Sequence, residues 1–176
     1  MKKYLLITLA ASVAMLSTSS KAIAAVPEGY ITHELSSFSV NLPSEFEKSE
    51  GWSSESQMSF NSNAINLRED GEEYISSATI NVYEMEGNIT NLDEYAENMK
   101  WSIKAMDETL DDTIVEGNTV IHHSTSDVGD GYLINWRFIV VNEDGRVAGG
   151  TISYRGEEAN IYDGIVMPII QSVQFK

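Results

Sequence analysis

The 176-residue chain has no cysteine, three prolines, and eleven basic residues against 27 acidic ones. Each shortage excludes something. Without thiols there is no disulfide staple, no thiolate metal site, no cysteine nucleophile and no lipid-modified cysteine. With so few cations the formal charge is −16, a field that repels nucleic acid and anionic lipid and draws in cationic partners. The one sustained apolar run, Tyr4 to Leu16, is too short for a bilayer span of about 20 residues.

That run is the middle of a three-part N-terminus. Lys2 and Lys3 supply a positive start, and Ala22-Ile23-Ala24 supplies small side chains at a cleavage position. The pattern predicts a secretory signal over residues 1–24, cut after Ala24 or Ala25, and export to the periplasm. Residues 26–176 are then a single domain, large enough for one core. Loss of Lys2, Lys3 and Lys21 leaves eight basic residues and a net charge near −19. Solubility and electrostatic steering both follow from such a charge.

Strand patterns dominate that domain. Phe38, Val40 and Leu42 alternate with polar residues up to Pro43, and Ala78, Ile80 and Val82 do so again. Residues 57–68 give a weaker strand signal, with Met58, Phe60, Ile65 and Leu67 interrupted by Asn61-Ser62-Asn63. The run Glu69-Asp70-Gly71-Glu72-Glu73 reads as the loop that follows. Asn91 with Glu94 forms a capping-box signature. From there Leu92, Tyr95, Ala96, Met99, Ile103, Met106 and Leu110 recur at helical spacing, predicting a long helix. Strands resume at 113–115 and 119–124 around Gly117-Asn118. Tyr132, Ile134, Trp136, Phe138 and Val140 make one apolar face; the other carries Leu133, Ile139 and Val141 but also Asn135 and Arg137, so it is only partly covered. Asn142-Glu143-Asp144-Gly145 turns into a return strand over 146–154. Ile161, Ile165, Ile169 and Val173 predict a closing helix over 159–175, which Pro168 must kink or restart. The expected fold is α+β: a central antiparallel β-sheet flanked by a long central helix and a C-terminal helix, in an α/β/α sandwich-like arrangement.

No catalytic signature is present: no nucleophile elbow, no His-Glu-x-x-His, no phosphate loop and no dinucleotide fingerprint. His122 and His123 are adjacent on a strand, where successive side chains point to opposite faces, so they do not converge on one metal. The Asp127–Gly131 and Asn142–Gly145 segments hold oxygen donors beside glycine, but lack the ligand spacing of a hand-type calcium loop and read as turns. The reading is a non-enzyme with no cofactor and no metal.

The string Phe38-Ser39-Val40-Asn41-Leu42-Pro43, the Ala-Thr-Ile-Asn-Val run at 78–82, the Asn91–Ala96 helix start and the closing Gln171–Phe175 together resemble the PsbP-like and DcrB-like superfamily, which also includes a nuclear Ran-binding protein. The resemblance implies a central antiparallel sheet with flanking helices, and a role in protein binding without shared catalytic residues.

Charge, export and missing catalytic motifs lead to a periplasmic protein-binding module. The leading form is an immunity protein that neutralises a cationic toxin delivered by a secretion system, the acidic charge raising the association rate. The alternative is a DcrB-like envelope accessory protein supporting a membrane complex, and a second alternative is a metal-dependent hydrolase using His122 or His123. The candidate partner-binding residues are Trp52, in a polar stretch that no strand or helix claims, and the acids Glu69, Asp70, Glu72 and Glu73. Trp52 either anchors a partner or closes over the core. The acids either rim an interface or form a solvated turn. The partner is a protein, with no nucleic acid and no stable membrane insertion.

Overall fold

The computed structural model describes residues 26–68 and 71–176; the predicted signal segment, Glu69 and Asp70 lie outside these residues. In chain order the elements are β1 (Tyr30–Glu34), β2 (Phe38–Pro43), β3 (Phe46–Lys48), β4 (Gln57–Ser62), β5 (Ile65–Leu67), β6 (Glu73–Ile75), β7 (Thr79–Met85), α1 (Leu92–Ala105), β8 (Thr109–Glu116), β9 (Thr119–Asp127), β10 (Tyr132–Val141), β11 (Val147–Arg155), α2 (Ala159–Gln171) and β12 (Gln174–Phe175). Single 3-10 turns occupy Glu50–Trp52 and Gly156–Glu158.

Seven strands make one sheet, ordered β3-β4-β7-β11-β10-β9-β8. Every pairing in it is antiparallel. Strands β1, β2 and β12 form a second sheet, and β5 with β6 forms a two-stranded ribbon outside both. The period of two along β10 divides the core. Ile134, Phe138 and Val140 face α2 and the small sheet, packing with Phe38, Val40, Leu42, Tyr162, Val166 and Ile169. Ile139 and Val141 face the other way, with Val120 and Val147 against Ala96 of α1 and the partly buried Leu92 and Tyr95. Gly150 on β11 leaves room for Phe138: a Cβ there would stand 2.4 Å from the phenyl ring.

The sandwich built around a long central helix does not form. The molecule is mostly strand, and its two helices are short, with 14 and 13 residues. The start of α1 is as the capping signature predicts, Asn91 Oδ1 accepting from the Glu94 backbone N–H at 3.1 Å. Its end is earlier. Asp107 adopts φ +61, a left-handed conformation that Asp tolerates better than most residues. The chain reverses there, so Leu110 belongs to β8 and Met106 is half exposed. Helical spacing had continued by coincidence into a strand that alternates. At the C-terminus α2 runs through Pro168 and stops at Gln171, while Phe175 pairs with Phe38 in the small sheet. The buried face of α2 is Tyr162, Val166, Ile169 and Ile170; of the four-residue repeat Ile169 is buried, Ile165 and Val173 pack partly buried against the core, and Ile161 is left outside.

Candidate functional site

The ribbon leaves three large aliphatic side chains uncovered. Register pairs Ile65 with Ile75, Asn66 with Tyr74 and Leu67 with Glu73. Alternation therefore places Ile65, Leu67, Glu73 and Ile75 on one face and Asn66 with Tyr74 on the other. The first face is open: Ile65, Leu67 and Ile75 are 67%, 69% and 72% exposed. Burying a large aliphatic side chain is worth about 1.5 to 3 kcal/mol. Three such chains, each about two-thirds uncovered, hold on the order of 3 to 6 kcal/mol that folding does not collect.

The inner face is tied down by Glu158, which is fully buried. Its Oε1 accepts from Asn66 Nδ2 at 3.3 Å, and its Oε2 accepts from Ser77 Oγ at 3.2 Å and from the Arg155 backbone N–H at 3.1 Å. A carboxylate out of water requires such donors. They connect the ribbon to the turn that starts α2. Between the ribbon and that turn lies a groove of about 790 Å³, lined by Leu67, Arg68 and Tyr74 on one wall and by Gly156, Glu157 and Ala159 through Ile161 on the other. The Arg68 guanidinium lies over the Tyr74 ring, 5.3 Å from its centre. Burial, then the nearby Glu158 and Glu157 carboxylates, push the Tyr74 phenol above its ordinary range. The Tyr132 ring packs on Gly156, where a Cβ would be 2.2 Å from the ring. An Arg155–Asp130 ion pair at 3.1 Å holds the β9–β10 loop beside that end of β11.

The sequence-predicted residues divide between two places. Glu73 is in β6, and Glu72 is exposed just before it; Glu69 and Asp70 lie outside the described residues. Trp52 ends the first 3-10 turn and is 76% exposed, so it does not close over the core. Ser53 Oγ and Ser54 Oγ accept from the Ser59 and Gln57 backbone N–H groups, and the Ser54 N–H donates to the Gln57 carbonyl, tying this turn to the Gln57–Ser59 part of β4. The ribbon leaves from the opposite end of the strand, after Ser62. The two features therefore attach to different parts of β4, the turn at Gln57–Ser59 and the ribbon beyond Ser62. Trp101, on α1, is likewise exposed at 74%, whereas Trp136 is half-buried with its Nε1 donating to the Tyr154 hydroxyl at 2.8 Å.

His122 and His123 point to opposite faces of the sheet. His123 stacks on Trp136 at 4.2 Å. His122 is buried under α1, where its Nδ1 meets Thr113 Oγ1 at 3.0 Å and its Nε2 has no hydrogen-bond partner among the described residues. Burial, then Lys100 and Arg137, hold its pKa below the ordinary histidine range. The acidic loops behave as turns: Asp127 Oδ1 accepts from Gly129 N–H and Asn142 Oδ1 from Arg146 N–H, each at 2.8 Å. The side of the sheet that holds His122 carries a polar network beside it. There Arg137 donates twice to Glu108 at 2.7 Å and once to Ser124 at 2.9 Å, and Asn135 bridges Ser126 and Ser153.

Sequence reading missed the ribbon's outer face and Glu158. Ile65 and Leu67 alternate with Asn66 as core residues would, and nothing in so short a run marks which face is covered. Glu158 stands three residues after Arg155, the spacing at which a carboxylate returns to a cap N–H. The usual Ser or Thr at the cap is absent, which removed the signal.

No family model and no curated protein matches this chain. Solved structures do. The Saccharomyces cerevisiae Ran-binding protein Mog1p superposes with a TM-score of 0.57 at 12% identity, over 82% of this chain and 94% of that one. A point mutant of Mog1 matches equally, over 82% and 95%. At this identity the likeness concerns the fold. No helix among the described residues is long and apolar enough to cross a membrane.

Proposed function

We propose that the chain is an exported protein-binding module whose contact surface is the β5–β6 ribbon with its acidic turn. The observation that carries the reading is the uncovered aliphatic face of Ile65, Leu67 and Ile75 beside carboxylates, on a chain with a net charge of −16. Interfaces concentrate energy in apolar anchors, while a charged surround sets encounter rate and partner choice. The partner is therefore a protein with an apolar patch set in basic surface. In its sharper form the module is an immunity protein that neutralises a cationic toxin in the periplasm. The fold shared with a Ran-binding protein supports the binding role in general terms, with nothing specific to toxins.

Affinity capture with the tagged residues 26–176 from envelope extract, at low and moderate salt, tests this. One cationic protein recovered in stoichiometric amount and weakened by salt is expected, and its gene next to this one would identify the immunity role. Recovery of resident envelope proteins instead would replace immunity by the accessory role. Recovery of nothing in stoichiometric amount would remove the binding role altogether.

A further inference from the structure

Resting on the protein-binding reading, we infer that the groove between the ribbon and the start of α2 receives an extended segment of the partner, with alternating apolar and basic side chains. Three features of the groove lead there. Its volume of about 790 Å³ lies in the range that holds a ligand of several hundred daltons, such as a short peptide stretch. Its walls are apolar at Leu67, Ala159 and Ile161, and Ile161 is 43% exposed although it belongs to a helix whose other isoleucines are covered. Its neighbour β5–β6 is a ribbon in which, among the described residues, each strand pairs only with the other. Such a ribbon keeps an unpaired row of backbone N–H and C=O groups on each outer edge. An added strand satisfies those groups, the mode in which an extended peptide docks on a sheet edge.

Charge selects among extended segments. Strand alternation sends successive side chains to opposite sides. Apolar residues of the incoming chain meet Leu67 and Ile161, and those between them meet the rim. Glu157 lies on that rim, exposed, on a chain whose net charge is −16. The one cation among the lining residues, Arg68, is placed over the Tyr74 ring. An acidic segment, or a second copy of this chain with its own excess of carboxylates, meets repulsion instead.

The test uses two blocked octapeptides, one alternating Leu with Lys and one alternating Leu with Glu, titrated into residues 26–176 labelled with nitrogen-15. The Leu–Lys peptide is expected to shift backbone amides in 65–75 and 156–161, and to bind about tenfold more weakly when ionic strength rises from low to physiological. The double variant Glu157→Gln with Ile161→Ser, both positions being exposed, is expected to weaken it by a further tenfold or so. Shifts centred on Trp52, α1 or the open sheet face, or equal binding of the Leu–Glu peptide, would overturn the assignment. A full-length partner held equally well by that double variant would overturn the groove while leaving the protein-binding role intact. Peptide binding without any captured partner would do the reverse.

Discussion

Substituting Glu108→Leu removes the only carboxylate paired with Arg137 among the described residues and leaves a guanidinium stranded in the sheet. The two side chains are 9% and 18% exposed and meet through two 2.7 Å contacts. At an effective dielectric near 20, opposite charges about 4 Å apart attract by about 4 kcal/mol. Desolvation opposes that gain, so the pair is worth far less than the cost of breaking it from one side. Losing one partner is expected to cost about 3 kcal/mol, near the low end of the usual range because Arg137 keeps its Ser124 contact. For a domain of this size that is a fall of roughly 6 to 12 °C in Tm. Combining Glu108→Leu with Arg137→Met removes both charges, and the double variant should lose no more than about 1 kcal/mol. Urea unfolding followed by circular dichroism on the two single variants and the double gives the coupling directly. Additive losses in the double variant, or a single loss below about 1 kcal/mol, would refute the reasoning.

Acid should loosen the fold through His122. Its pKa is lowered in the folded state by burial, Lys100 and Arg137, partly opposed by Glu97, so below the unfolded value of about 6.5 the unfolded chain holds a proton that the folded one does not. Stability should be flat from pH 8 to 7 and fall toward pH 5.5, at no more than about 1.4 kcal/mol per pH unit. His33, partly buried and lowered by burial and then by Lys48, adds in the same direction. An undiminished pH slope in His122→Gln would contradict the assignment. Gly150→Ala forces a Cβ to 2.4 Å from Phe138 and 2.8 Å from the Asn81 carbonyl, and is expected to cost about 2 to 3 kcal/mol. Gly164→Ala on α2, where a Cβ meets nothing within 4 Å, should instead stabilise by about 0.5 to 1 kcal/mol; chemical unfolding reads both. Glu158→Ala should raise hydrogen exchange over 65–75 well before global unfolding, because three donors from different segments lose their shared acceptor.

Much of the sheet was legible because its signals are local. The alternation in 132–140, the turn at Gly117-Asn118 and the cap at Asn91 each depend on residues within one element. What was illegible depends on partners distant in sequence. Leu110 continues a helical spacing, and only the reversal at Asp107 shows that the helix has ended. Ile161 extends the repeat of Ile165 and Ile169, yet it stays exposed while Tyr162 and Val166 fill the core. The polar positions Asn135 and Arg137 did announce that α1 covers only part of its side of the sheet. The acidic run was legible as a charge cluster, but the aliphatic ribbon beneath it was not, since a pairing of three residues against three carries too little periodicity. Trp52 was legible as a tryptophan in a polar stretch without strand or helix pattern, and the structure leaves it exposed.

The central claim is that a protein partner seats on the β5–β6 ribbon. A photocrosslinking residue placed at Ile75, and at Val115 as an exposed control on the opposite edge strand β8, tests it in living cells. The account predicts one discrete adduct from position 75, diminished by Leu67→Ser and Ile65→Ser, and none from position 115. Equal adducts from both positions, or none from position 75 while a partner is still captured, would contradict it.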